Sequence, residues 1–200
     1  GYHNDGTCYN GSNSVNCGNN GFGPQFIQGN GTTGKAMSFD GINSWIKTNN
    51  PYSNLDNTSR TYIVLGKIIN YNPLRSDTFI GGGDYRLGLY DSGSGVLEYR
   101  DYRIGNIVRD NNYLIQNKYY LIVGEYDKYK NLSSIYINGL STSIQTGGAN
   151  IGRPTQPVLF GKNYGGMGAY DFLNGSIDEV RIYNRALSDS EIQNLYNSTK

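Results

Sequence analysis

The stretch GSIDEVRIYNRALSDSEIQNLYN, residues 175–197, predicts a β-strand, a turn and a short helix in direct succession. Val180 and Ile182 are apolar and lie two residues apart, so they share one face of the strand. Asp178 and Glu179 are neighbours in the same strand, and their side chains therefore point to opposite faces. These two carboxylates are not expected to act as a catalytic pair on one substrate.

The helix in this stretch has a recognisable start and one apolar side. Ser188 is the predicted N-cap, and Glu191 follows at the spacing of a capping box. Ile192, Leu195 and Tyr196 form an apolar stripe at helical spacing. We expect the helix to bury this stripe over an open end of a β-sandwich, where sheet edges would otherwise be bare.

The rest of the chain shows strand signals and no helix signal. Residues 60–71, RTYIVLGKIINY, form a long apolar run rich in β-branched and aromatic residues, as expected for a strand covered on both faces. Further strand signals, separated by turns such as GGGD and DSGSG, lie in residues 36–48, 78–82, 84–91, 95–105, 119–127, 132–139 and 157–164. At least nine short strands predict an all-β, two-sheet antiparallel sandwich with one short C-terminal helix.

Composition narrows the class of partner. The 200 residues, enough for one domain, carry 17 basic and 16 acidic side chains, for a net charge of +1 without a long basic run. This balance argues against nucleic acid and anionic membrane as partners. No stretch reaches the roughly 18 consecutive apolar residues of a membrane span. No signal peptide is present, so we expect any targeting segment to have been removed or never to have existed.

The N-terminal region differs in composition from the remainder. Residues 1–33 are rich in Gly and Asn and are predicted to be irregular, whereas residues 34–200 are predicted to form the sandwich. Cys8 and Cys17 are close enough in sequence to close a small disulfide loop, and a pair of free thiols is the alternative. A disulfide and a polar, Tyr-rich composition predict a secreted or surface-displayed protein. Six N-x-S/T triplets give candidate glycosylation sites at Asn10, Asn30, Asn57, Asn131, Asn174 and Asn197.

Four segments, taken in order, resemble one known family. GSIDEVRIYNRALSDSEIQNLY resembles the C-terminal signature of laminin G-like jelly-roll domains of the concanavalin A-like lectin and glucanase superfamily. TGKAMSFDGINSWIKT is similar to a strand, Phe-Asp-Gly turn and strand of that family, and NKYYLIVGEYDKYKNLSSIYINGLSTS to its central hairpin. GYHNDGT is similar to a Gly-Asn-x-His-Gly stretch. The resemblance covers residues 34–197 well and residues 1–33 weakly, and it implies a jelly-roll sandwich.

The chain departs from the family pattern at its start. Members of the family usually begin with a Trp-containing strand ahead of the Gly-x-His stretch, and this chain starts after that place. An unfilled strand position would leave buried backbone groups without partners. We therefore expect either that residues 1–30 cover the position or that a neighbouring chain supplies a strand. The region with Cys8 and Cys17 is a second departure, which the family pattern does not require.

The resemblance also implies a structural calcium ion that ties the last strand to the N-terminal loops. Asp178 is the implied ligand, and Asp40, Asp5 and Asn4 lie in segments that could supply further oxygens. The alternative for Asp178 is a carboxylate that accepts backbone hydrogen bonds at a bend. The alternative for Asp40, in the sequence FDG, is a turn residue, and it is favoured.

Enzymes of the superfamily raise the question of catalysis. Glu125 and Asp127 lie two residues apart on one face, but Tyr129 stands where glucanases have a third carboxylate. A glycoside hydrolase is therefore not favoured. The single histidine, His3, has no obvious carboxylate partner for a nucleophilic triad, and one His with two Cys makes no zinc site.

Binding is favoured over catalysis. Sugars present C–H faces that stack on aromatic rings, and their hydroxyls need amide and carboxylate partners. The resemblance implies that four of the tyrosines lie on the concave sheet, and the rest of the set lies in a loop at the rim. The candidate ligand-binding residues are Tyr85, Tyr90, Tyr99, Tyr102, Asn163, Tyr164, Tyr170 and Asp171. For each tyrosine alone the alternative is core or surface packing, and Trp45 is assigned to neither role.

The sequence thus predicts a non-catalytic module that recognises carbohydrate or a cell-surface partner. The alternative is a structural or adhesive subunit of a surface filament or assembly, with a strand exchanged between subunits.

Overall fold

A computed structural model describes residues 6–18, 23–29, 34–51, 58–70, 76–82, 85–89, 95–101, 105–111, 114–146, 157–163 and 171–200. Within these ranges the chain forms two antiparallel sheets and one helix, which confirms the predicted two-sheet sandwich with a C-terminal helix. The strands in chain order are β1 (Gly6–Asn10), β2 (Asn13–Val15), β3 (Gln25–Gln28), β4 (Lys35–Asp40), β5 (Ser44–Pro51), β6 (Arg60–Ile68), β7 (Thr78–Gly82), β8 (Tyr85–Leu89), β9 (Leu97–Asp101), β10 (Asn106–Asp110), β11 (Tyr119–Asp127), β12 (Leu132–Ile137), β13 (Leu140–Thr146), β14 (Pro157–Phe160) and β15 (Asn174–Tyr183), and the helix is α1 (Asp189–Asn197).

The sheets have eight and seven strands. The larger has the order β10-β9-β8-β7-β14-β5-β1-β2, and the smaller the order β13-β12-β11-β6-β15-β4-β3. At one side the edges of the two sheets meet, since the Ser143 hydroxyl in β13 donates to the carbonyl of Arg109 in β10 at 2.8 Å. The strands themselves therefore close this side of the sandwich.

The main core lies between the sheets and combines apolar packing with one ion pair. Tyr62 of β6 stacks on Tyr85 of β8 with ring centroids 4.9 Å apart. Arg60 of β6 pairs with Asp101 of β9, both side chains are fully buried, and Arg60 also lies over the ring of Tyr126. One positive and one negative charge thus neutralise each other inside the protein, which is how buried charges are tolerated.

α1 packs on β6, β11 and β12 at the outer face of the seven-stranded sheet, which corrects the prediction that the helix closes an open end. Ile63 and Leu65 of β6 alternate with residues that face the main core, and they pack against Leu187 and Ile192. Val123 of β11 joins the same outer cluster. The apolar area that needs cover is this sheet face, because β6 and its neighbour β11 are apolar on both sides. The prediction that residues 60–71 are covered on both faces is confirmed for β6.

Two sets of hydrogen bonds hold the helix in this position. The predicted capping box is present, since Ser188 Oγ accepts from the Glu191 backbone and the Glu191 carboxylate accepts from the Ser188 backbone at 2.8 Å. Just before the helix, Glu125 Oε2 accepts from the Leu187 backbone at 2.7 Å and from the Thr61 hydroxyl at 2.8 Å. Glu125 is therefore a buried tether between β11 and the C-terminal segment.

The described part of residues 1–33 is not irregular, and that prediction is wrong. β1 pairs with β5 and with β2, and β3 pairs with β4. Cys8 of β1 forms a disulfide with Cys17, as predicted. β3 lies at the edge of the seven-stranded sheet, so a segment within residues 1–30 supplies an edge strand. Which strand takes the place of the family's first strand stays a prediction.

We expect the Ile192→Ala substitution to lower the free energy of unfolding by about 2 to 4 kcal/mol, because Ile192 is fully buried and its loss leaves a cavity under the helix. Ile144→Ala is the matched control, since Ile144 is 61% exposed, and it is expected to change stability by less than about 1 kcal/mol. Urea denaturation of both variants measures the difference. Equal effects would show that α1 does not depend on this packing.

Burial raises the pKa of Glu125 above its usual 4.5, against the opposing effect of hydrogen bonds from Leu187 and Thr61. The folded protein then holds this proton more tightly than the unfolded chain. The contribution of Glu125 to stability is therefore complete below pH 4.5 and is lost as the pH rises through the raised pKa. We expect the stability of the wild type minus that of Glu125→Gln to fall as the pH rises from 4 towards neutrality.

Glu191 provides a comparison, because its pKa is shifted in the opposite direction to that of Glu125. Its hydrogen bonds from Arg185 and Ser188 lower its pKa to about 2, so its contribution is present above pH 4.5 and is lost as the pH falls towards 2. Urea denaturation at several pH values compares Glu125→Gln and Glu191→Gln with the wild type. A wild-type advantage over Glu125→Gln that is flat or grows with pH would contradict the raised pKa of Glu125.

Candidate functional site

The outer face of the eight-stranded sheet, turned away from the smaller sheet, carries a row of residues from four neighbouring strands. Arg100 lies opposite Arg86. Gly81 lies opposite Arg86 on one side and Leu159 on the other. Residues opposite one another in antiparallel strands point to the same face. The row lies outside the main core, because Leu87, the neighbour of Arg86 in sequence, belongs to the cluster between the sheets.

Three arginines surround one carboxylate on this face, and we call Arg86, Glu98, Arg100 and Arg109 the arginine cluster. Arg86 donates to Glu98 Oε1 at 2.6 Å, and Arg109 Nε donates to Oε2 at 2.9 Å. Arg100 donates to Oε2 at 3.2 Å, and its Nε lies 2.9 Å from Oε1. Arg86 and Glu98 are buried, whereas the Arg109 side chain is 43% exposed. The cluster thus extends from a buried carboxylate to the protein surface.

Two residues predicted from the sequence, Asn163 and Asp171, lie beside this cluster. Asp171 Oδ1 is 3.8 Å from a terminal nitrogen of Arg86. A Cβ added at Gly81 would collide with the segment of Lys162 and Asn163, so the absence of a side chain in β7 makes room for that segment. The structure therefore brings these parts of the predicted site together with arginines that the sequence prediction did not include.

An aromatic cluster formed by Tyr9, Trp45, Leu159 and Phe172 lies farther along the same face. Tyr9 stacks on Trp45 with ring centroids 4.1 Å apart. Lys162 Nζ lies 4.6 Å from the ring centroid of Trp45 and 5.1 Å from that of Phe172. Burial lowers the pKa of Lys162. Trp45 and Phe172 are buried while Tyr9 is half-buried, so Tyr9 is the ring of the cluster nearest to solvent.

Tyr85 and Tyr99 face the inside of the sandwich. Their side chains belong to the main core, and they are 6% and 0% exposed. No ring face of either residue is open to a sugar in this structure, and their burial fits the packing role that the sequence also allowed. The other predicted tyrosines, Tyr90, Tyr102, Tyr164 and Tyr170, lie outside the described residues.

The sequence contained a signal for the residues that the prediction missed. In the strand YRLGL, Tyr85 and Leu87 point to one face of the sheet and Arg86 points to the other. In LEYRD, Tyr99 points to the same face as Leu97, and Arg100 points to the opposite face. The leucines mark the core side, so alternation alone would have placed the arginines, and not the tyrosines, on the outer face.

The predicted calcium ligands do not form one group. Asp40 Oδ1 accepts hydrogen bonds from the backbones of Ile42, Asn43 and Ser44 and from the Ser44 hydroxyl, which is the arrangement of a turn residue. These hydrogen bonds lower its pKa against the opposing effect of burial, which is the largest single contribution. Asp40 lies opposite Asn174, four positions before Asp178 in β15, or roughly 13 Å along the strand.

Asp178 lies at the β3 side of the sheet. A Cβ added at Gly29 would stand 2.9 Å from Asp178 Oδ2, so this backbone approaches the carboxylate closely. Asp5 and Asn4 lie outside the described residues, among which no three His, Cys, Asp or Glu side chains converge in a way suited to a metal ion. The donors present do not fit the four-residue calcium set, and calcium at Asp178 stays a prediction.

Glu125 and Asp127 are not arranged as a pair of catalytic acids. Glu125 is buried under the C-terminal segment, where it accepts from the Leu187 backbone. Asp127 Oδ1 instead accepts from the backbone of Tyr129 in the following turn, at 3.0 Å. His3 lies outside the described residues.

Four candidate glycosylation sites, Asn10, Asn131, Asn174 and Asn197, lie on described residues, and Asn30 and Asn57 do not. Asn131 and Asn197 are exposed, whereas Asn10 and Asn174 are half-buried. Glycosylation stays a prediction at all six. In the described part of the chain, α1 is far too short and polar to serve as a membrane span.

Solved structures with the same fold include proteins of several organisms. The binding domain of Paraclostridial Mosquitocidal Protein 1 superposes with a TM-score of 0.65 at 20% identity, covering 88% of this chain and 46% of that one. A protein from Bacteroides ovatus, described as a candidate carbohydrate-binding protein, gives 0.63 at 20% identity, over 78% of this chain and 45% of that one. Trypanosoma rangeli sialidase gives a TM-score of 0.61 at 19% identity, over 82% of this chain and 27% of that one.

The present chain therefore spans less than half the length of each of these structures. Identities at this level establish the fold alone. No curated protein matches the chain in sequence. The family model of laminin G-like domains of the concanavalin A-like lectin/glucanase superfamily matches residues 40–193, which is more than half of the chain. The protein belongs to this family.

Proposed function

We propose that this protein is a non-catalytic, extracellular carbohydrate-binding module whose ligand lies on the outer face of the eight-stranded sheet. One observation carries the proposal. The two outer faces differ, because α1 covers the smaller sheet with apolar contacts, whereas the larger sheet carries the arginine cluster and the aromatic cluster on one surface. Charged, amide and aromatic side chains on one surface are the groups that sugars require.

The dimensions of the face agree with a ligand of more than one sugar ring. The arginine cluster occupies β8, β9 and β10, and the aromatic cluster occupies β14, β5 and β1. Neighbouring strands are about 4.8 Å apart, so β8 and β5 are separated by roughly 14 Å. The segment of Lys162 and Asn163 lies between the two clusters, over Gly81.

The structural roles of three acidic side chains support binding without catalysis. Glu125 tethers the C-terminal segment, Asp127 orders a turn, and Glu98 is enclosed by arginines. Among the described residues no two of these carboxylates face each other across a cleft, as the acid pair of a glycosidase does. The disulfide between Cys8 and Cys17 supports an extracellular location, because such bonds persist in oxidising compartments.

A glycan array tests the proposal with the wild-type protein. We expect one class of glycan to bind, and Tyr9→Ala to weaken that binding about tenfold or more, because Tyr9 is the ring of the aromatic cluster nearest to solvent. Tyr129→Ala is the control, since Tyr129 is exposed in the turn after β11, and it is expected to leave binding within about twofold. The melting temperature of each variant verifies that it is folded.

Two results would contradict the proposal. Failure of the wild-type protein to bind any glycan would remove the function itself. Equal losses from the two substitutions would place the ligand away from the outer face. The rim variants Tyr164→Ala and Tyr170→Ala extend the test to residues predicted from the sequence.

We also propose that the protein binds calcium at Asp178 and not at Asp40. Calcium should then raise the melting temperature of the wild type, and Asp178→Asn should abolish that increase because a ligand oxygen has lost its charge. Asp40→Ala should lower the melting temperature through loss of its turn hydrogen bonds and keep the response to calcium. Differential scanning calorimetry with calcium and with EDTA distinguishes the two. A wild-type melting temperature indifferent to calcium would overturn the assignment.

A structural or adhesive subunit is the second candidate function, and one feature favours it. β3 is a four-residue edge strand, and its Phe26 side chain is 51% exposed. An exposed aromatic residue on a sheet edge is a surface on which a second copy can add or exchange a strand. Light scattering over a range of concentrations separates the two functions, because a monomer at all concentrations argues against assembly.

A further inference from the structure

The arginine cluster contains one unfavourable cross-strand pair of charges. Arg86 and Arg100 lie directly opposite each other on neighbouring strands, with both side chains on the same face. Like charges in directly opposite positions destabilise a sheet. A position that costs stability in this way is expected at a functional site and is unusual elsewhere.

Glu98 offsets this repulsion only in part. Its two oxygens already receive three hydrogen bonds and one further ion-pair contact from the three arginines. Asp171 is the only other described carboxylate within ion-pair distance of Arg86, and at 3.8 Å it is the longest contact. Glu98 is thus shared by three guanidinium groups.

The buried ion pair in the main core shows what a purely structural arginine looks like in the same molecule. There one Arg60 meets one Asp101, and both are fully buried, with the guanidinium also packed on Tyr126. The arginine cluster differs in its exposure, which rises from 6% for the Arg86 side chain through 19% for Arg100 to 43% for Arg109. Positive charge is therefore presented outward.

Two buried polar atoms beside the cluster complete the argument. Arg86 Nε is a donor without a hydrogen-bond partner, and Asn163 Oδ1 is an acceptor without one, within the part of the chain that the structure describes. Both side chains flank Gly81, because Gly81 lies opposite Arg86 and a Cβ added at Gly81 would stand 3.0 Å from Asn163 Oδ1. Buried polar atoms without partners are costly, and a ligand with both an acceptor and a donor removes the cost.

We infer that the arginine cluster with Asn163 binds the carboxylate of an acidic sugar. This inference rests on the proposed carbohydrate-binding function and names its ligand class. A carboxylate matches the planar fork of a guanidinium, and a sugar hydroxyl beside it donates to Asn163 Oδ1. The aromatic cluster contacts neutral sugars farther along the same oligosaccharide. Sialic acids and uronic acids both carry a carboxylate, and the experiment distinguishes between them.

The experiment measures binding by isothermal titration calorimetry with the full chain. The probes are 3′-sialyllactose, an oligogalacturonate, the methyl ester of each, neutral lactose, and a sulfated heparin oligosaccharide. We expect one of the two carboxylated probes to bind, and its methyl ester to bind at least about tenfold more weakly because esterification removes the charge. The affinity should also fall as the salt concentration rises.

A matched pair of variants locates the site. Arg109→Ala removes a side chain that is 43% exposed and lies 2.9 Å from Glu98, and we expect it to weaken binding about tenfold or more. Arg181→Ala removes a side chain that is 40% exposed and lies 2.8 Å from Glu179 in β15 of the other sheet, and we expect binding within about twofold of the wild type. Unchanged melting temperatures show that both variants are folded.

The outcomes distinguish this inference from the proposed function. Binding of neutral glycans that Arg109→Ala does not affect would overturn the inference and leave the proposed function standing. Binding of the sulfated oligosaccharide without either carboxylated probe would overturn the carboxylate assignment. Absence of binding to every probe and to every glycan on the array would overturn both. Equal losses from the two arginine variants would overturn the location.

Discussion

Burial of β6 and β11 on both faces is the constraint on which the rest of the structure depends. Tyr62 and Val64 face the larger sheet, whereas Ile63 and Leu65 face away from it. A sandwich of two sheets covers only one of these sides, so the outer side needs a third layer. α1 is that layer. The single helix of the described chain is therefore part of the packing, and Glu125 holds the segment that leads into it.

The helix also gives the two outer faces different roles. It packs on β6, β11 and β12 at the outer face of the smaller sheet, and the proposed ligand site uses the outer face of the larger one. There the strands carry arginine, aromatic and amide side chains in place of an apolar stripe. The sheet beneath is rigid because its inner face is the main core, and a rigid base keeps the charged groups in fixed geometry.

Much of the fold could be predicted from local patterns. The capping box of Ser188 and Glu191, the long apolar run of β6 and the disulfide of Cys8 and Cys17 each depend on neighbours in sequence, and each is present. The strands within residues 1–33 could not be predicted, because Gly-rich and Asn-rich segments have no strand period of their own. β1 and β3 exist because β5 and β4 offer them free edges.

The sequence by itself determined the alternation of each strand, the start of the helix and the class of fold, since these follow from contacts within a few residues. Only the tertiary structure decided what covers each sheet and which strands lie side by side. The alternation in LEYRD separates Tyr99 from Arg100, and packing against the second sheet then buries Tyr99 and leaves Arg100 on the outer face. The arginine cluster likewise comes from three strands, because register between strands, and not spacing along the chain, brings its charges together.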